Sequence, residues 1–157
     1  MKKILSLLVI TLVIATACNT TKKATAQKAE DNIALEYTAT TRGMFNKVII
    51  KKDTVVTIKD RDMKDIVTKK LSKAQWDGIV AALASVKLDE MQNLKPPSTK
   101  SHYDAAAIGG LQVIKNGVTY QSSGFDHGNP PAEIKDVVTK VLAASDLKQL
   151  VPSLNKQ

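Results

Sequence analysis

The hydrophobic pattern becomes regular at Ile33. Over Ile33–Ala39 apolar and polar residues alternate, which places Ile33, Leu35 and Tyr37 on one side of an extended strand. Thr40–Asn46 breaks the alternation around Gly43. Two β-branched runs follow, Lys47–Lys52 and Thr54–Asp60, separated at Lys52-Asp53, and this predicts a hairpin. In it Val48, Ile50 and Val55 share one side, while Lys47 and Lys51 point to the other. The turn lacks glycine, so its type stays open.

The period then changes from two to 3.6. Ser72 stands three residues before Gln75, the spacing of a capping box, with Leu71 and Trp76 flanking it as a staple. Trp76, Ile79, Val80 and Leu83 continue at helical spacing and predict a helix over Lys73–Val86 with Trp76 in the core. Residues 88–104 read as a loop, because Pro96-Pro97 excludes a regular helix. Asn116-Gly117 is the strongest short hairpin signal. A two-residue turn there pairs Lys115 with Val118, Val113 with Tyr120 and Leu111 with Ser122. Leu111, Val113, Val118 and Tyr120 then share a core face. Extending that register backward sets Ala107 opposite Asp126 and Asp104 opposite Asn129. Asn129 fits the N-cap and Pro130 the first turn of a last helix, whose buried stripe is Ile134, Val137, Val138, Val141 and Leu142. Residues 147–154 are expected to add a last turn against the sheet. The order β-β-β-α-β-β-α lacks regular βαβ alternation. It predicts an α+β fold: an antiparallel sheet of about five strands with two helices on one face.

The N-terminus has another character. Met1-Lys2-Lys3 is positive, Ile4–Ile14 is uncharged and aliphatic, and Ala15-Thr16-Ala17 is small, the layout of an export signal. As a helix the uncharged run 4–17 would span about 21 Å, short of a bilayer core of roughly 30 Å. The chain's only cysteine, Cys18, comes next, so no intramolecular disulfide is possible. Ala15-Thr16-Ala17-Cys18 resembles the lipobox of bacterial lipoproteins, with Ala15 where Leu is more usual. The resemblance covers residues 1–18. It implies removal of a signal peptide, 1–17, and attachment of diacylglycerol and a further acyl chain to Cys18. Asn19, which is not Asp, implies the outer membrane by analogy with enteric sorting. Two or more chains anchor firmly without a transmembrane helix. An ordinary thiol behind a secretory signal is the alternative for Cys18. Residues 18–31 then read as a lipidated cysteine and polar tether, and residues 32–157 as a single α+β domain. In element order and size that domain resembles small α+β envelope lipoproteins and secreted inhibitors, without a motif that fixes a family.

Composition narrows the partners. One Trp, three Tyr and two Phe are too few for a wide base- or sugar-stacking platform. After residue 17 the charge is balanced in 18–41 and in 74–157, whereas 42–73 carries ten basic and four acidic residues. This stretch, with Lys47, Lys51 and Lys52 in its hairpin, is a candidate contact for an anionic envelope surface or an acidic protein. The plainer reading is a solvated edge whose lysines discourage aggregation. An export address makes nucleic acid a poor partner. In the loop Thr40–Asn46, Arg42, Met44 and Phe45 form a second candidate contact, with an exposed Met-Phe pair. The alternative is that both side chains turn inward to close the sheet edge.

No P-loop, G-x-S-x-G, H-E-x-x-H, C-x-x-C or dinucleotide fingerprint occurs, and the sequence calls for no cofactor. One cluster carries candidate chemistry. His102, Asp104, Asp126 and His127 include both histidines and approach the same end of the Asn116-Gly117 hairpin. Two imidazoles and two carboxylates suit a zinc-like ion. In the plainer reading Asp126 and Asn129 make turn and cap bonds and the histidines are solvated. The leading expectation is a lipid-anchored, non-enzymatic binding module of the cell envelope, an inhibitor being one form. The alternatives are a metal-binding protein or hydrolase using those four residues, and a structural envelope protein.

Overall fold

The computed structural model describes residues 32–103 and 105–147. Cys18, its signal and tether, Asp104 and the tail beyond Leu147 lie outside the described residues. Among these residues seven strands form one antiparallel sheet: β1 (Ile33–Thr40), β2 (Phe45–Lys51), β3 (Thr54–Ile58), β4 (Ile66–Lys70), β5 (Ile108–Lys115), β6 (Val118–Gln121) and β7 (Phe125–Asp126). Their spatial order is β4-β3-β2-β1-β5-β6, with β7 pairing β5 beyond β6. Alternation along β1 sends Ile33, Leu35, Tyr37 and Ala39 into the core, while the residues between them stay half-buried. Leu35 faces Ile50, and Ile50 faces Val55, so three neighbouring strands bury one row.

Helices α1 (Lys73–Ala84) and α2 (Lys135–Ala144) both cover this row. Ser72 accepts from the amide of Gln75 at 3.2 Å, and Gln75 reaches back to the amide of Ser72 at 3.0 Å. The box starts α1 where the sequence places it. Trp76, Ile79 and Leu83 meet Val137, Val138 and Val141 and the sheet residues in one cluster. Among the described residues no helix packs on the opposite face.

The α+β class, the antiparallel sheet and the shared helix face hold, but the strand count and order need correction. β4 lies in the stretch 61–71, to which the sequence pattern assigns no element. Only Val67 of its five residues is half-buried and the rest are exposed, so no alternation marks it. Its pairing with β3, from Thr54↔Lys70 to Ile58↔Ile66, defines it. The Asn116-Gly117 turn has the predicted register through Lys115↔Val118 and Val113↔Tyr120. Asp126, however, faces Ile108, not Ala107, because Ser122–Gly124 carries one residue more than β5 opposite it, a bulge. Val118 is 51% exposed, beyond the reach of the helices. Asn129 does not cap α2: a 3-10 turn, Ala132–Ile134, capped at Pro131, precedes the helix. Within residues 88–104 two further 3-10 turns form, Leu88–Asn93 and Lys100–Tyr103.

Candidate functional site

The polar cluster forms where β1, β5 and β7 meet the loop before β5. Tyr37 leaves the core side of β1, and its hydroxyl is hydrogen-bonded to His127 Nδ1 at 2.7 Å. The backbone N–H of Gly128 donates to the same hydroxyl oxygen. The oxygen has two lone pairs, so beside the Gly128 bond the hydroxyl can donate to a bare Nδ1 or accept from an Nδ1–H, according to the imidazole tautomer. Burial raises the Tyr37 pKa far above the usual range, against a smaller lowering by the Gly128 bond. Burial also pushes His127 below its ordinary value. The rings of Phe125 and His127 tilt against Tyr37 at centroid distances of 6.2 and 5.8 Å. Gly109 makes the room: a Cβ there would lie 2.8 Å from Phe125 Cε2 and 3.0 Å from the Tyr37 hydroxyl.

Asp126 is the buried neighbour, 3% exposed. Its carboxylate accepts from the Ser98 hydroxyl at 2.5 Å and from the backbone N–H groups of Lys100 at 2.8 Å and Ser101 at 2.7 Å. The Ser98 bond, followed by those from Ser101 and Lys100, holds its pKa well below the usual carboxylate range, against desolvation. Asn129 closes the set, its amide donating to Ser98 Oγ at 2.7 Å. The carboxylate thus caps the start of the 3-10 turn Lys100–Tyr103 and fastens a loop about 25 residues away in sequence.

Of the four proposed metal ligands, the structure sets Asp126 and His127 side by side in sequence but commits their polar atoms to different partners. His102 is exposed on its turn. Among the described residues no three His, Cys, Asp or Glu side chains are grouped to hold a metal ion. Ser98, the hydroxyl nearest this chemistry, meets a carboxylate instead of an imidazole base. Sequence reasoning missed Tyr37, Ser98 and Ser101. Tyr37 looked like an ordinary inward strand residue, and Ser98 and Ser101 reach Asp126 only through long-range folding.

The second candidate set surrounds β2. Thr41 Oγ1 accepts from the amides of Gly43 and Met44 and holds a tight turn that exposes Arg42. Met44 packs on the core, and Phe45 is half-buried beneath the Arg61 guanidinium, 5.8 Å from the ring centroid. The pair is therefore not a protruding apolar tip. Lys47 pairs with Glu36 at 2.6 Å. Lys51 is exposed and makes none of the ion pairs found, while Lys52 sits half-buried in the turn. Farther along, Asp146 accepts from both Lys59 and Lys69. Those bonds, Lys59 first, bring its pKa down to about 2.

Shallow grooves lie elsewhere among the described residues. One of about 310 Å³ runs between the end of α1 and Glu133. Another, of about 260 Å³, lies beside β6. No helix among the described residues is long and apolar enough to cross a membrane. Comparison with known proteins finds no matching family model and no matching curated relative.

Proposed function

We propose that the protein is a lipid-anchored, non-catalytic binding module of the bacterial cell envelope, held at the outer membrane through Cys18. The observation that carries the binding role is the one-sided build of the domain. Both helices pack on one face of the sheet, which leaves the other as a half-buried field of mixed chemistry. Ile49, Val56, Thr38, Gln112 and the Glu36–Lys47 pair lie on it. Such a surface offers contact area with little aggregation risk. The groups that would have served catalysis, Asp126 and His127, are instead engaged in fastening loops to the sheet. The anchor rests on the resemblance of residues 15–18 to a lipobox. Its test is mass spectrometry of the native N-terminus together with fractionation. An acylated cysteine and a membrane-bound protein are expected, and Cys18→Ser should release or misprocess the protein. An unmodified thiol, or cleavage elsewhere, overturns the anchor.

A further inference from the structure

The free edge of β6 ends in a groove with unspent hydrogen-bonding groups. The Ser122 N–H donates to the Leu111 carbonyl at 2.8 Å and the Leu111 N–H donates to Ser122 Oγ at 3.0 Å, so these two residues continue the ladder as a bonded pair just past β6. Such pairs alternate in an antiparallel sheet. Val113/Tyr120 is therefore bonded, whereas Gln112/Gln121 and Ile114/Thr119 are not. The N–H and C=O of Thr119 and Gln121 consequently point away from β5, toward the edge that β6 leaves open. Among the described residues these four groups find no partner.

Across from them stands the 3-10 turn Leu88–Asn93. The groove between, about 260 Å³, is lined by Leu88, Asp89, Gln92, Thr119, Tyr120 and Gln121. Asp89 makes none of the ion pairs found, although its neighbour Glu90 is held by Lys87 at 3.2 Å. The Gln92 amide and the Tyr120 hydroxyl are likewise without partners among the described residues. This contrasts with Asp126, whose two carboxylate oxygens both accept hydrogen bonds. Residues two apart on a strand repeat at roughly 6.8 Å, the interval at which an extended peptide presents its own donors and acceptors.

We infer that this groove takes a short extended peptide that adds to β6 as a further strand and sets a lysine or arginine against Asp89. The backbone pairs at Thr119 and Gln121 supply the seat. Leu88 and the half-buried Tyr120 supply apolar surface for the stem of a long basic side chain, and Asp89 supplies the charge. The opposite edge is less suited. By the same alternation β4 turns the backbone groups of Ile66, Thr68 and Lys70 outward. Its lysines, Lys69 and Lys70, oppose an added strand.

This inference rests on the reading of the protein as a binding module and names the partner's chemistry. The test is an amide-resonance titration of the full chain in detergent. The probe is a capped hexapeptide of alternating valine and threonine with one central lysine. Saturable shifts centred on Thr119 and Gln121 are expected. Replacing the probe's lysine by glutamate, or Asp89→Asn in the protein, should weaken binding at least about fivefold, the scale of one exposed ion pair. Gln121→Pro removes an outward N–H without breaking a bond to β5, and should abolish binding while the melting curve is kept. Should that variant not fold, Asp89→Asn decides. Shifts centred on β4, equal affinity for the lysine and glutamate probes, or no saturable shift at millimolar peptide overturn the inference. None of these outcomes bears on the lipid at Cys18 or on membrane fractionation, so failure of the groove and failure of the anchored reading are separable.

Discussion

At the scale of single residues the fold is set by a few groups whose partners are remote. Tyr37 and His127 are 90 residues apart and joined by one hydrogen bond. Tyr37 could be read from the alternation of β1 as an inward residue, but its hydroxyl partner could not, because no local spacing points to residue 127. Asp126 was legible first as a turn residue and, less readily, as a metal ligand. Only the arrival of Ser98 and the amides of Lys100 and Ser101 decides which bonds it makes. His127 has a consequence for stability. Burial lowers its pKa below the ordinary 6.5, so as pH falls the unfolded chain takes up that proton first. The stability linked to it is complete above the unfolded value and is lost as pH falls through that value toward the folded one. Urea midpoints should therefore fall between about pH 7.5 and pH 5.5, and His127→Gln should remove this dependence. The carboxylates of Asp126 and Asp146 are also depressed. Their contributions are present above the ordinary carboxylate pKa and are lost at more acid pH, outside that window. A wild-type midpoint that does not move over the window would mean that His127 is not desolvated.

Elements were legible where their signal is local. The capping box of α1 uses residues three apart, and both of its bonds form. The Asn116-Gly117 turn shows φ of 53° and 80°, the left-handed pair that a type I′ turn requires. At Lys52-Asp53 neither residue has positive φ, so that hairpin turns by another route although Lys51 and Thr54 pair as expected. β4 was illegible because a strand exposed on most of its length has no alternation to read. α2 was misplaced at its start because Asn129, a good N-cap by type, spends its side chain on Ser98, 31 residues away. The turn at Gly117 carries the sharpest expectation at this scale. Valine at positive φ is strained, and no neighbouring atom lies within 4 Å of a Cβ there, so crowding plays no part. Gly117→Val should destabilise the fold by roughly 1–3 kcal/mol, seen as a lowered melting temperature. An unchanged melting curve would show that the sheet does not depend on this turn.

For the whole molecule, the uneven charge was legible in the sequence, but its meaning was not, because charge counts ignore pairing. Ten basic residues lie in 42–73, yet the fold spends many of them. Lys47 goes to Glu36, Lys59 and Lys69 to Asp146, Lys64 to Asp62, and Lys73 to Asp77. Arg61 is held by the Thr41 carbonyl and the Phe45 ring. Lys51 and Lys70 remain exposed and form none of these ion pairs. They flank Thr54 in one cross-strand row on the open face. A basic residue at an anionic lipid surface is worth about 1 kcal/mol within a Debye length of roughly 8 Å. Two such residues orient a domain that lipid already holds; alone they bind weakly. The Cys18→Ser protein should therefore co-sediment with anionic vesicles more than with neutral ones at low salt. The difference should shrink at physiological salt and vanish in Lys51→Glu/Lys70→Glu. Equal sedimentation with both vesicle types, or binding to anionic vesicles that ignores salt, would rule out an electrostatic lipid contact. The two lysines would then serve the sheet itself, keeping an exposed edge and an open face from pairing with other copies.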